Sequence, residues 1–380
     1  MRLLPVILCL SFAGGIFPSL AVADEQSADR DAAARRLVAK LDSSNYNERE
    51  SAALQLLKLG DDARGALEAA LKSPHAETRL RVERILAQIK QGDLERSIDA
   101  FLISTDPTAG DDLPGWPRLK GIIGDGRAQR EFYVEMLKAE NELLTTAANN
   151  PRAAASAFHL RCQQLQIESS AQSREIDKPS LATVLFVATD EAIPMLPGAD
   201  SLLYRFCSHS SVEKVLRQAA DESEMRKIVG AWIASGRGGY YALRLSMKHE
   251  LPEGIQAAET MLDGDTPGYY RQYAILTYAK LGDKSNIPRL LKMLGDVTVC
   301  TTHRVNDDMY QTQFRDIALV AVLHLAGYDP QMFGFDRIRA HSEYVYSPYT
   351  LGFKNEEDRK AAFAKFEKIK PQIEAIPADD

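Results

Sequence analysis

The sequence lacks the short motifs by which several enzyme classes are recognised. His-Glu-x-x-His, Gly-x-Ser-x-Gly and Cys-x-x-Cys-His are all absent, so the zinc-protease, serine-hydrolase and c-type haem signatures are missing. Two glycine clusters, residues 121–127 and 236–241, superficially resemble phosphate-binding loops. However, a dinucleotide loop follows a strand and a P-loop contains Gly-Lys-Ser/Thr, and neither condition is met. Both clusters are therefore predicted to be helix breaks, and no cofactor is expected.

The sequence also has no excess of positive charge. It contains 46 lysine and arginine residues against 53 aspartate and glutamate residues, a formal net charge of −7, and no dense basic run. Nucleic-acid phosphates are bound mainly by clustered Lys and Arg side chains. We therefore do not expect nucleic acid as a partner.

Cysteine is rare. Of the four in the chain, Cys9 lies in an N-terminal apolar run, and only Cys162, Cys207 and Cys300 lie beyond it. Three thiols allow at most one internal disulfide, which excludes a small scaffold built from disulfides. The sequence leaves open whether Cys207 pairs with Cys300.

Long apolar runs are missing except at the N-terminus. There, Arg2 precedes an apolar stretch that ends in Ala21-Val22-Ala23, the pattern of a cleaved export signal over residues 1–23. A retained anchor helix is the alternative, but the prolines and glycines in the run and its small-residue ending favour cleavage. We therefore expect a mature chain that starts at Asp24, has no transmembrane segment, and is exported to the periplasm or the extracellular space.

What the sequence does contain is a repeated helical pattern. The early stretch NERESAALQLLKLGDDARGALEAAL resembles the late stretch YYRQYAILTYAKLGDKSNIPRLLKML. The matched positions are Arg49, Ala52, Leu56, Leu59 and Gly60 in the first and Arg271, Ala274, Tyr278, Leu281 and Gly282 in the second. Related patterns begin at Arg79, Arg226 and Arg315. Apolar residues three and four apart predict one buried helix face, and the glycine predicts a C-cap. We interpret each copy as one helical hairpin in a stacked series.

The phase of this pattern assigns individual positions. Leu67 and Leu71 are predicted to point inward, Ala274 to lie between packed helices, and Lys280 to lie on the solvated face. The repeated arginines are predicted to bind acidic side chains or helix-end carbonyls of neighbouring hairpins rather than a ligand. A last helix capped by Asn355 should bury four apolar residues: Ala362, Phe366, Ile369 and Ile373.

The pattern resembles HEAT or armadillo repeats, and its form RESAALQLLKLGDDARGALEAALKSPHAETRLRVERIL is especially similar to exported bacterial HEAT-like proteins. The segments LAGYDPQMFGFDRI and YTLGFKNEEDRKAAFAKFEK resemble the same group. The match is strong over residues 47–89 and 269–327, and the middle departs from a regular period. The resemblance implies an all-α protein, a HEAT-like α-solenoid that is irregular in the middle and serves protein interaction. It supplies no catalytic residues.

The predicted organisation combines these segments. In order they are the signal peptide (1–23), an N-terminal HEAT-like section (34–103), a Pro/Gly-rich connection (104–120), an α-solenoid (121–327), and an aromatic loop with a C-terminal capping helix (328–376). Residues 297–308 and 328–353 are expected to be long irregular connections, where function is often found.

Each cysteine beyond the signal has a histidine nearby. The pairs are His159 with Cys162, Cys207 with His209, and Cys300 with His303. Two pairs brought together would supply the four nitrogen and sulfur ligands that zinc favours. None has the Cys-x-x-Cys spacing of structural zinc sites, and His159 and Cys162 suit the interior of an amphipathic helix. We expect no bound metal.

Two further groups bear on function. His303, Arg304, Asn306 and Tyr310 could perform acid–base chemistry on an acidic polysaccharide, as in helical toroid-type enzymes, but no second motif completes such a site. Aromatic residues gather at Tyr240, Tyr241, Tyr269, Tyr270, Trp116 and residues 328–353. They would suit a groove that binds protein or glycan, or else fill gaps between hairpins.

The favoured function is a non-catalytic module that binds another protein or acts as a scaffold, and the toroid-type enzyme is the alternative.

Overall fold

The computed structural model describes residues 19–172, 175–217, 223–264 and 266–375. Most of the predicted export signal lies outside these residues. The Ala21-Val22-Ala23 motif lies within the first helix, so cleavage there would shorten that helix. The chain divides into two compact units, Met1–Ser104 and Thr105–Asp380, and this division falls at the start of the Pro/Gly-rich segment.

The N-terminal unit is helical in the part that the structure describes. Its helices are α1 (Ser19–Lys40), α2 (Tyr46–Leu59), α3 (Arg64–Ala70) and α4 (Ala76–Ile103). Helix α1 packs on α2 and α3, and both of these pack on α4. Leu56, Leu67 and Val82 lie in the shared core and are completely buried. Leu71, which was predicted to point inward, is instead partly exposed because it follows the last residue of α3.

Local signals set the ends of α2. The side chain of Asn45 accepts a hydrogen bond from the backbone N–H of Asn47, which satisfies one of the free donors at the helix start. Gly60 ends the helix with φ +57°, a left-handed conformation that glycine adopts without steric cost. The predicted glycine C-cap therefore corresponds to a real cap, whereas the Asn45 cap was not predicted.

The C-terminal unit contains many shorter helices. In the described residues they are α5 (Trp116–Ile123), α6 (Arg127–Asn149), α7 (Pro151–Gln172), α8 (Lys178–Ala188), α9 (Ala199–Cys207), α10 (Ser210–Leu216), α11 (Glu224–Ala234), α12 (Gly239–His249), α13 (Gly254–Asp263), α14 (Gly268–Leu281), α15 (Ile287–Lys292), α16 (Phe314–Leu325), α17 (Glu356–Glu367) and α18 (Lys370–Glu374).

These helices pack in two rows. The first row contains α6, α8, α11 and α13, each in contact with the next. The second row contains α7, α9, α12, α14 and α16, again in sequential contact. Across the rows, chain neighbours pair as α6 with α7, α8 with α9, α11 with α12, and α13 with α14. Successive helical pairs are thus stacked side by side.

The middle of helix α14 is buried on all sides. Every residue from Gln272 to Ala279 is buried, because α12, α13 and α16 surround the helix. The prediction of a solvated face is therefore wrong. Lys280 is half-buried and forms an ion pair with Glu250, whereas Ala274 is completely buried as expected.

Two antiparallel hairpins interrupt the helical pattern and correct the expectation of irregular connections. Strands β1 (Val299–Val305) and β2 (Asp308–Gln313) pair across a two-residue turn, and β3 (Ala340–His341) pairs with β4 (Val345–Tyr346). Asn306 occupies the first turn with φ +55°, a conformation that Asn tolerates better than most residues. The β-branched residues of β1 favour an extended backbone. The protein is predominantly helical rather than purely so.

The C-terminal helices attach to α16 through a buried ion pair. Arg359 on α17 donates to both carboxylate oxygens of Asp316, at 2.9 and 3.1 Å, and both side chains are almost completely buried. The predicted single last helix is divided at Lys368, yet Phe366 and Ile373 are buried as expected. Among the described residues, no helix is both long enough and apolar enough to cross a membrane.

Candidate functional site

The three predicted His/Cys pairs do not come together. Within the described residues no group of three or more His, Cys, Asp or Glu side chains is placed to hold a metal ion. Cys162, Cys207 and Cys300 are free thiols, so Cys207 and Cys300 do not pair. Burial raises the pKa of each thiol to about 12, which keeps it protonated at neutral pH. Protonated thiols are poor metal ligands and poor nucleophiles.

The hairpin side chains that suggested an enzyme are split between surfaces. His303 lies opposite Tyr310 in the strand register, whereas Arg304 lies opposite Met309. Adjacent residues of a strand point to opposite faces, so His303 and Arg304 diverge. Arg304 is directed to the turn, where it donates to the carbonyl oxygen of Asn306 at 3.1 Å. The four residues therefore do not form a common acid–base site.

The glycine clusters lie at helix breaks. Gly124, with φ +98°, follows α5, and Gly236, with φ +69°, separates α11 from α12. Trp116 is completely buried against Tyr133, with ring centroids 5.2 Å apart, so it takes no part in an aromatic surface.

The remaining predicted aromatic residues do converge. Eight tyrosines from the second row of helices and the β3–β4 region form one continuous group of ring contacts and hydroxyl hydrogen bonds, here called the tyrosine cluster: Tyr204, Tyr240, Tyr241, Tyr269, Tyr270, Tyr273, Tyr344 and Tyr349. Its closest ring pair is Tyr240 and Tyr273, with centroids 4.6 Å apart. Because α9, α12 and α14 are neighbours in one row, their tyrosines meet across helix boundaries.

Polar contacts attach the β3–β4 loop to these helices. Arg244 on α12 donates to both oxygens of Glu343, at 3.0 and 3.3 Å, while its guanidinium lies 5.5 Å from the Tyr204 ring centroid. The hydroxyl groups of Tyr240 and Tyr344 are 3.1 Å apart. His341 stacks on Tyr344 at 4.4 Å. The loop that carries Tyr344 is thus attached to α12 by the Arg244–Glu343 ion pair and the Tyr240–Tyr344 hydroxyl contact, whereas the His341 stack is internal to the hairpin.

Electrostatics follow from these contacts. The hydrogen bond to Glu343 raises the pKa of Arg244, so this ion pair stays charged across the neutral range. Although burial acts in the opposite direction, the bonds from Arg244 hold the pKa of Glu343 below its ordinary value. Burial raises the pKa of Tyr273 and Tyr344, which keeps their hydroxyls protonated and able to donate.

The cluster has a buried base and an exposed rim. Tyr273 and Tyr344 are only 4% and 8% exposed. Tyr269, Tyr270 and Tyr349 are 47%, 39% and 37% exposed, and the hydroxyls of Tyr269 and Tyr349 are 3.3 Å apart. Rings that are supported from below and exposed above offer both apolar contact and hydrogen bonding to a partner.

Sequence reasoning missed Tyr204 and Tyr273 as members of the cluster. Tyr273 lies one helical turn after Tyr269, so the helical period could have linked them. Tyr204 carries no local signal, because its contact with Tyr241 depends on α9 lying beside α12.

No protein-family model matches the sequence, and no curated protein matches it significantly.

Proposed function

We propose that the protein is an exported HEAT-like α-solenoid whose tyrosine cluster binds another protein without catalysis. The observation that carries this proposal is the convergence of three exposed tyrosines, Tyr269, Tyr270 and Tyr349, on a supported aromatic base. Tyrosine is enriched in protein interfaces because it supplies a large contact area with few rotatable bonds and one polar group. The stacking of helical pairs in two rows supports the solenoid assignment.

Rigidity of the surface supports binding as well. Val345, beside Tyr344, has φ +66°, a left-handed conformation that costs a β-branched residue about 1–3 kcal/mol. Such strain persists where neighbouring contacts hold the backbone, and here the Arg244–Glu343 ion pair does so. A surface that is ordered before binding loses less conformational entropy when a partner docks.

Site-specific photocrosslinking in the native host tests the proposed interaction. A photoreactive phenylalanine analogue would replace Tyr269, Tyr270 or Tyr349 in separate variants. We expect the same single protein in the crosslinked product at all three positions. The matched control places the analogue at Glu131, an exposed residue of α6. The same adducts at Glu131, or no adduct at any tyrosine, would contradict the proposal.

Export is tested separately by sequencing the N-terminus of the protein recovered from its host. The Ala21-Val22-Ala23 motif predicts a mature chain that begins at Asp24. A membrane-bound product that retains Met1 would show that the segment is an anchor.

A further inference from the structure

A small pocket opens beside the tyrosine cluster, between the starts of α12 and α14. Its volume is about 290 Å³, and its wall includes Tyr240, Tyr241, Tyr270, Met261 and Asp200. Tyr240 is 5.5 Å from both other rings, at interplanar angles of 56° and 33°, so the three rings form a continuous aromatic wall. This volume lies at the lower end of the range for small-molecule sites and suits one long side chain rather than a larger ligand.

Asp200 places a carboxylate in this pocket without a basic partner among the described residues. One oxygen accepts the backbone N–H of Ser201 at 2.9 Å. The other faces the start of α12, where a Cβ on Gly239 would lie 3.9 Å from it. Asp200 is half-buried, so water screens its charge only in part.

Two arginines close to the pocket in sequence bind elsewhere. Arg237 donates to the carbonyl oxygens of Ala188 and Ile193 at the end of α8. Arg244 is paired with Glu343. The pocket therefore combines an aromatic wall with a carboxylate that has no ion-pair partner among the described residues.

We propose that this pocket binds the basic side chain, arginine or lysine, of the partner protein; the inference rests on the proposed protein-binding function. A cation is attracted to the faces of tyrosine rings by about 0.5–2 kcal/mol, and the carboxylate adds a charged hydrogen bond. Met261, which is buried at the wall, supplies a polarizable surface for the aliphatic part of the side chain. Arginine fits the aromatic wall and the carboxylate best, since its planar guanidinium stacks on rings and pairs with carboxylates.

Ligand-detected NMR on the purified mature protein tests this inference without the partner. The probes are capped Gly-Gly-Arg-Gly-Gly and Gly-Gly-Lys-Gly-Gly peptides, with Gly-Gly-Gln-Gly-Gly as the neutral control. We expect saturable binding of at least one basic peptide and none of the neutral one. Asp200→Asn should weaken this binding about tenfold, and salt should weaken it further. Glu131→Gln, which removes the same charge from α6, should leave the affinity within about twofold.

The aromatic wall is tested by a second pair of variants. Tyr270 is partly exposed, so its replacement is not expected to unfold the protein. Tyr270→Phe keeps the ring and should retain binding, whereas Tyr270→Ala should lose most of it. Equal binding of the neutral peptide, or unchanged affinity in Asp200→Asn, would overturn the inference. Crosslinking at Tyr269 reports protein binding by the tyrosine cluster independently of the peptide experiment. The two experiments therefore distinguish failure of the pocket inference from failure of the proposed protein-binding function.

Discussion

Helices α2 and α14 carry the two most similar stretches of the sequence, yet their surroundings differ. In α2 only Ala52 and Leu56 are buried, on one face. In α14 eight consecutive residues are buried, because neighbouring helices cover every face. A shared apolar pattern therefore identifies which positions pack between helices, but it does not show whether the other positions remain in solvent.

The repeated arginines also have different surroundings in the two units. Arg49 and Arg79 each donate to the carbonyl oxygen six residues earlier, in Ser43 and Ser73, and both distances are 2.7 Å. In the C-terminal unit, Arg226 instead binds Glu253 through two hydrogen bonds. Acidic partners occur as predicted, but the carbonyl partners lie in the loop before the same helix rather than in a neighbouring hairpin. The partner depends on which group the local packing places nearby.

The largest expected effect comes from the buried ion pair of the C-terminal unit. Arg359→Met would leave the Asp316 carboxylate buried without its partner, which typically costs about 3–5 kcal/mol. Urea unfolding followed by tryptophan fluorescence measures this loss selectively, because both tryptophans of the chain lie in that unit. A loss below about 0.5 kcal/mol would contradict the role given to the pair.

The pH dependence of this variant provides the control. Burial already raises the pKa of Asp316 to about 6 in the native protein, and removing Arg359 should raise it further. The folded state of the variant then binds a proton more tightly than the unfolded chain, so its stability should rise as the pH falls from 8 to 5. Adding Asp316→Asn should remove that dependence and recover part of the loss.

The second prediction concerns overpacking of α14. Ala274→Leu adds three heavy atoms where the side chain is completely buried, and we expect a loss of about 1–3 kcal/mol. The matched control is Gln256→Leu on α13, an exposed position, which should change stability by less than about 0.5 kcal/mol. The same urea titration measures both. Equal losses would contradict the close packing of Ala274 between helices.

A smaller effect is expected from the arginine contacts of the N-terminal unit. Arg79→Met removes the hydrogen bond to Ser73 and should cost about 1 kcal/mol. Faster hydrogen exchange should be confined to the N-terminal unit, with the tryptophan-detected unfolding of the other unit unchanged. Arg36→Met on the exposed face of α1 serves as the control. Loss of stability in the C-terminal unit would contradict a local role.

The smallest effect should come from an exposed ion pair. Arg81 and Glu50 are 2.9 Å apart, but the Glu50 side chain is 43% exposed. Glu50→Gln should therefore cost about 0.2–1 kcal/mol, less at high salt, as measured by hydrogen exchange. If Glu50→Gln destabilised the protein as much as Arg359→Met, burial would not explain why one ion pair contributes more to stability than the other.

The errors of the sequence interpretation have two causes. The sequence pattern predicts an irregular connection over residues 297–308, yet the valines and threonines of Val299–Val305 favour the strand that forms there. The same pattern predicts a solvated face of α14 that carries Lys280, but other helices cover that face. The first error concerns a strand that pairs with its neighbour in the chain across a two-residue turn, so its signal was local. The second concerns contacts between helices that are distant in the chain.

The sequence by itself determined the features that depend on neighbours within a few residues. These include the Asn45 and Gly60 helix ends, the burial of Ala52 and Ala274, and the breaks at the glycine clusters. Capping and helical periodicity act over at most a few turns, so the signal is local.

Only the tertiary structure decided how the tyrosines meet. The hydroxyls of Tyr240 and Tyr344 are 104 residues apart in sequence and 3.1 Å apart in space. Their contact requires α12 and α14 to lie in one row and the β3–β4 loop to fold back on both. No local pattern encodes that approach, because it results from the combined packing of helices whose apolar faces could each have been covered in other ways.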